Sequence, residues 1–437
     1  MLRPLTSKKT VLALLLILLG VILLSVIIPQ QFSTPATEFD KWQQAHQSWQ
    51  PTLDALRLHH IFTTSWFAAI LFLFLLALAI ATQVQLRIAY KRTFGAPNKT
   101  NLSSTHGLSL PEETLTSNLL KNGYTESNTN QRESSRYRKH PWGHWGIFFL
   151  HLGILITVTA SLFFAVSTQR GAFQIIEGET HLPTDPWIFE ELGIFADSFQ
   201  LPQAIRLDKI TPEFWPQGGI KNLKSNVRFI SAQGNTTQAI IATNPILTYE
   251  GLRIYQETKF GNAFYVWLTA DNGDGHGLIL DIGSPIEPAK ASYGNFDFPE
   301  ISYLIKAKYY ADADKRSLIS NNPLLTLRLM EQDKVIGEIP LTKGQSGQLG
   351  PYKAEFVRFA QWTNFTFMTT PGINGVFFGF FIFSLGGLLY YFTIPREFYF
   401  QKTDTGFLFS WKCARFQEHY QEEYQSIINC LQQTESQ

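Results

Sequence analysis

Cysteine is nearly absent: Cys413 and Cys430 are the only two in 437 residues. The long stretch before them holds no disulfide, whatever compartment it faces, and its side chains cannot carry thiol chemistry. Net charge is missing as well. At +1 it gives the chain no pull toward nucleic acid, and no basic patch interleaved with aromatics stands out. Residues 167–371 contain no His-Glu-x-x-His, no nucleophile elbow and no phosphate-cradling glycine loop. Asp271-Asn272-Gly273-Asp274-Gly275 begins like a calcium loop but lacks the ligand at its end, so it reads as a turn. Finally, no acidic residue occurs between Glu133 and Glu177.

What the chain does have is long runs without charge. A helix needs about 20 apolar residues to cross the hydrocarbon of a bilayer. Four segments qualify: 11–28, 61–86, 142–166 and 372–395. The first is longer than the ~7–15 residue core of a signal peptide, and no small-x-small cleavage site follows it, so it is expected to remain as an anchor. Lysines and arginines set the orientation. The 87–141 loop carries Arg87, Lys91, Arg92, Lys99, Lys121, Arg132, Arg136, Arg138 and Lys139. The 29–60 loop has only Lys41 and Arg57, offset by Glu38, Asp40 and Asp54. The excess predicts that residues 1–10, 87–141 and 396–437 are cytoplasmic. The short loop 29–60 and the whole of 167–371 are then outside. The tail after Arg396 reads as an amphipathic or partner-binding segment.

Residues 167–371 alternate like strands rather than helices. Runs 226–232 and 237–242 flank a turn at Gln233-Gly234-Asn235. Runs 252–256 and 263–269 flank Phe260-Gly261-Asn262, and further strands are predicted at 300–307, 324–331 and 352–359. The fold class expected is therefore an α-helical membrane protein with four spans and one large antiparallel β-rich domain.

The third span carries the candidate site. His151 sits within an apolar run, and an ionisable side chain there is costly unless it faces a bundle interior or a cavity. His144 lies seven residues earlier, about 10 Å along a helix and on nearly the same face. It sits beside Trp142 and Trp145, at headgroup level. Three roles suit His151: an interhelical hydrogen bond (to Thr64 or Ser65, for example), ligation of haem iron, or a step in a proton path. His59 and His60 precede the second span, but adjacent histidines on a helix diverge too far to share a metal.

Several segments carry a resemblance. They are Leu56-Arg57-Leu58-His59-His60-Ile61-Phe62-Thr63-Thr64-Ser65-Trp66-Phe67, the stretch from Trp142-Gly143-His144-Trp145-Gly146 through His151-Leu152-Gly153, and Thr243-Asn244-Pro245 through Gly251 to Tyr255-Gln256. Together with Pro371-Gly372 before the last span, and in this order, they resemble the ResB (CcsB) family of the system II cytochrome c synthase. The resemblance spans nearly the whole chain.

It implies a protein of the bacterial cytoplasmic membrane that works with a ResC/CcsA-type membrane subunit. The pair would carry haem b outward and support its attachment to the Cys-x-x-Cys-His site of apocytochrome c. A thioredoxin-like thiol reductant of the pathway would act indirectly. The chain would then be a non-autonomous part of a haem lyase, with no catalytic residue of its own. His151 would be an axial haem ligand and His144 a second candidate. Phe148, Phe149, Phe67 and Phe72 would wall the haem, and Arg138 and Lys139 would attract its propionates or else only fix the topology. The other reading is an assembly scaffold that binds no haem. Trp142-Gly143-His144-Trp145 only looks like the start of the partner's Trp-rich motif, so the chain is expected to be half of a synthase.

Overall fold

A computed structural model describes residues 7–32, 34, 36–95, 106–108, 111–127, 134–216, 219–403 and 406–435. Lys99, Arg132 and Glu133 lie outside these. The chain forms two compact units, one from Met1–Ala165 together with Gly372–Gln437, the other from Val166–Pro371.

The first unit opens with α1 (Lys8–Ile27), free of charge from Val11 onward and capped by the Ser7 hydroxyl, which accepts from Thr10 N at 3.1 Å. Two short helices follow, α2 (Ala36–Ala45) and α3 (Gln50–Ala55), then a 3-10 turn over Leu58–Thr63. Next comes α4 (Ser65–Phe94), capped by Thr64. It runs eight residues past the charge-free stretch because nothing from Arg87 to Phe94 breaks a helix. Strand β1 (His106–Leu108), helix α5 (Glu112–Lys121) and strands β2 (Thr125–Ser127) and β3 (Ser134–Lys139) fill the loop beyond. A 3-10 turn, Pro141–Trp145, then leads into α6 (Gly146–Ser167).

The second unit is antiparallel β throughout. Its strands are β4 (Gln169–Ile176), β5 (Thr180–His181), β6 (Phe189–Leu192), β7 (Ala204–Phe214), β8 (Ile220–Ile230), β9 (Thr236–Ala242), β10 (Leu247–Tyr249) and β11 (Leu252–Ala270). They continue with β12 (Gly275–Gly283), β13 (Ser292–Phe296), β14 (Leu304–Tyr310), β15 (Leu324–Glu331), β16 (Lys334–Leu341), β17 (Ser346–Leu349) and β18 (Tyr352–Met368). The predicted β8–β9 hairpin turns at Gly234, whose φ of +82° suits glycine.

The two strands expected at 252–256 and 263–269 are one 19-residue strand. Glu257-Thr258-Lys259 interrupts the alternation, and the register slips there without ending the pairing with β18. Buried Gln256 secures the slip: its amide donates to Thr363 Oγ1 at 2.6 Å and its carbonyl accepts from Ser225 Oγ at 2.6 Å. The Tyr-Gln pair of the sequence signature is therefore a structural device here. Long β11 and β18 join two halves with separate cores. One gathers Phe173, Leu223, Ile254, Phe365 and Phe367, the other Phe264, Leu280, Leu327 and Phe356. Each such buried side chain contributes about 1.5–3 kcal/mol.

The chain returns to the first unit through Gly372, at φ +81°, and α7 (Ile373–Phe392). Pro395 closes that helix. The tail is not a free amphipathic segment: β19 (Arg396–Thr403), β20 (Gly406–Cys413) and α8 (Gln421–Glu435) build a domain with the earlier loop. Its sheet runs in the order β1-β20-β19-β3-β2. Leu115 and Leu119 of α5 and Ile427 and Leu431 of α8 pack with Tyr137, Phe398, Phe400 and Phe409 in one core.

Helices α6 and α7 pair closely through glycines spaced seven apart. An added Cβ at Gly146, Gly153, Gly379 or Gly386 would run into the backbone of the facing helix. Small residues at such a seam replace side-chain interdigitation with direct backbone approach.

Candidate functional site

His151 lies on α6, half-buried, and its Nδ1 is 2.9 Å from the carbonyl of Ile147 one turn earlier. A carbonyl can only accept, so Nδ1 carries the proton and Nε2 keeps a lone pair. Among the described residues nothing hydrogen-bonds Nε2. At 100° per residue, His151 is about 150° around α6 from the glycine seam, so it points away from α7. The interhelical bond to Thr64 does not form: the Thr64 hydroxyl donates to Ile61 O at 2.7 Å instead. The apolar walls expected around His151 are also split. Phe148 and Phe149 pack on Trp145, whereas Phe67 packs with Val21 and Ile61 near the opposite end of α4.

His144 does not share a helix face with His151, because it belongs to the 3-10 turn that precedes α6. Its side chain is 8% exposed and its Nε2 lies 3.8 Å from Glu397 Oε1, an electrostatic contact longer than a hydrogen bond. Glu397, on β19, also takes the Arg136 guanidinium at 2.6 Å and the Tyr399 hydroxyl. Burial alone would raise this carboxyl, but His144, Arg136 and Tyr399 together hold its pKa down at about 2. Arg136 also donates to Gly95 O at 2.8 Å, and Arg138 to Thr93 O. The Thr93 hydroxyl accepts from Trp145 Nε1 at 3.0 Å, fixing the end of α4 against the start of α6.

Three further cations of this domain are engaged too. Lys139 reaches Glu423 on α8 at 2.9 Å, and Arg396 pairs with the same carboxylate. Arg415 donates to Gly143 O at 3.2 Å. Of the pair Arg138–Lys139, therefore, Lys139 is neutralised by a carboxylate while Arg138 binds a carbonyl. Sequence reasoning missed Glu397 and Glu423 because they arrive from the far end of the chain.

Among the described residues no three His, Cys, Asp or Glu side chains come together in a metal-binding group. The Asp271–Gly275 segment is the turn of the β11–β12 hairpin.

Four apolar helices long enough to span a bilayer, one with an open imidazole, and a β-rich extramembrane domain define a multi-pass membrane protein. The chain belongs to the ResB-like family, which matches residues 9–344. It is similar to the cytochrome c biogenesis protein CcsB of Picosynechococcus sp., at 22% identity over 452 residues, covering 100% of this chain and 92% of the relative. The CcsB proteins of Trichormus variabilis and Nostoc sp. are each 23% identical, over 98% of this chain and 91% of theirs. Membership associates the chain with cytochrome c biogenesis and with partnership inside that maturation system.

Proposed function

We propose that the chain is the haem-carrying, non-autonomous subunit of a holocytochrome c synthase. It works with a ResC/CcsA-type membrane partner to pass haem b across the bacterial cytoplasmic membrane. The pair supports attachment of that haem to the Cys-x-x-Cys-His site of apocytochrome c, whose thiols a thioredoxin-like reductant keeps reduced. The observation that carries this reading is His151, an imidazole within a span whose Nδ1–H is committed to Ile147 and whose Nε2 lone pair is open. That is the tautomer an axial iron ligand needs. Its position away from α7 leaves room for a porphyrin between this chain and a partner helix.

The excess of Arg87, Lys91, Arg92, Arg136, Arg138 and Lys139 on one side favours a cytoplasmic location for the small sheet domain. The β-rich unit is then outside, where the cytochrome is made. Arg138, which has no ion pair with a carboxylate among the described residues, is a cation that can attract a propionate near the start of α6. His144 is a positioning residue in this reading: it faces Glu397 and not the apolar span.

The test is co-purification with a matching ResC-type partner, followed by visible absorption. His151→Ala is expected to lower bound haem, and His151→Gly to regain it with added imidazole. Unchanged haem content and Soret position in both variants would leave the chain a scaffold.

A further inference from the structure

We infer that the β unit touches the bilayer through a short apolar tip, Ile194–Phe195, which rests at the headgroup and acyl boundary of the lipid beside the end of α6. The inference needs only that α6 crosses the membrane, and is independent of the haem-carrying reading.

Strand pairing sets the level of this tip. From Gly146 to Val166, α6 rises about 30 Å at ~1.5 Å per residue, the thickness of the hydrocarbon, so Val166 lies at its edge. Strand β4 then leads away from the membrane. Its antiparallel partner β6 runs back, pairing Phe189 with Ala172 and Leu192 with Gln169. The chain after Leu192 therefore returns to where α6 ends. Gly193 N donates to Thr168 O and Phe195 N to Val166 O, each at 2.8 Å. An added Cβ at Gly193 would come within 2.5 Å of the Val166 carbonyl, so glycine is what lets the loop lie this close. The return strand closes at the same level: Thr369 N donates to Gln169 O at 3.0 Å, and its hydroxyl accepts from Gln169 N at 3.1 Å.

The tip is held outward by a braced loop. Trp187 stacks on Phe199 at 4.9 Å and donates from Nε1 to Phe199 O at 2.8 Å. Glu190 accepts from Phe199 N at 2.8 Å, and the Gln169 side-chain amide donates to Asp197 O at 3.1 Å. Phe199 joins the apolar core, with Leu192 packed against it, yet Ile194 is 43% and Phe195 78% exposed. Two large apolar side chains presented together on a fixed loop, at the level where a span ends, match a lipid surface. The nearby charge does not oppose it, since Glu191 is paired with Arg170 at 3.3 Å. Asp197 and Ser198, both exposed, follow at once and keep the contact shallow. Ile188 is as exposed as Phe195 but bonds Ala172 O, about 13 Å farther along β4 than Thr168, and so stands clear of the lipid.

The experiment uses the full chain in phospholipid nanodiscs, without a partner, with Cys413→Ser and Cys430→Ser and one new cysteine carrying a nitrobenzoxadiazole dye. At Phe195→Cys and Ile194→Cys the dye is expected to shift to the blue and to resist aqueous iodide. Lipid nitroxides ~5–10 Å deep are expected to quench it more than nitroxides at the bilayer centre. Ile188→Cys and Asn235→Cys give the water reference, and Ile22→Cys on α1 the lipid reference. Iodide quenching at 194 and 195 equal to that at 188 would overturn the inference. So would protection that appears only after a ResC-type partner is added, which would assign the tip to that subunit. Protection from iodide without any nitroxide quenching would also overturn it, in favour of contact between copies of this chain.

Discussion

Glu397 is a carboxylate buried beside the start of a membrane span, which is stable only if its partners outweigh its lost hydration. Arg136, Tyr399 and His144 do so, and hold its pKa at about 2 against an ordinary 4.5. The direction fixes the pH behaviour. The contribution is complete above about pH 4.5 and is lost as pH falls through about 2, and it is worth on the order of 3 kcal/mol. Acid unfolding followed by tryptophan fluorescence is expected to weaken the small sheet domain progressively below about pH 4.5. Arg136→Ala, which strands the buried charge, is expected to cost about 3–5 kcal/mol at neutral pH, and Glu397→Gln less. A thermal melt of each variant checks the order. The sequence showed half of this site. Arg136 and His144 are close together in the chain, and no acidic residue lies from 134 to 176. Sheet register supplies one instead, by setting Glu397 opposite Arg138 on neighbouring strands. Such a pairing leaves no local trace.

Among the elements, α6 and α7 depend on a seam without side chains. Gly153 lies against the backbone of Phe383 and Gly379, so a larger residue must push the helices apart. Gly153→Leu is expected to destabilise the pair by about 1–3 kcal/mol, as overpacking does. A lower detergent melting temperature, with the neighbouring exposed position Ile154→Leu unchanged, is the check. The spans themselves were legible because bilayer thickness dictates their length. The seam was not, since glycines are too common in membrane helices to mark an interface alone. In the β unit, alternation revealed β8, β9 and β15 but divided β11 in two. The Glu257-Thr258-Lys259 break is absorbed by a register shift that only Gln256 and its partners Ser225 and Thr363 reveal.

For the whole molecule, the assignment of sides gives a direct expectation. An alkaline phosphatase fused after Asn235, in the β8–β9 turn, should be active, and one fused after Thr403 inactive. The reverse pattern would invert the proposed route of haem. Fold class was readable at this scale because it follows from hydropathy and strand alternation. The tail was not, because its strands have meaning only beside partners more than 250 residues earlier.

That separation governs how the protein is made. Strand β3 emerges from the ribosome with one edge unsatisfied, and β19, which covers it, follows only after α6, the entire β unit and α7. At ~5–20 residues per second the delay is roughly 10–50 s. Throughout it the nascent 106–139 segment displays open backbone and the unburied Tyr137, so a chaperone or the membrane surface has to shield it until translation is nearly finished.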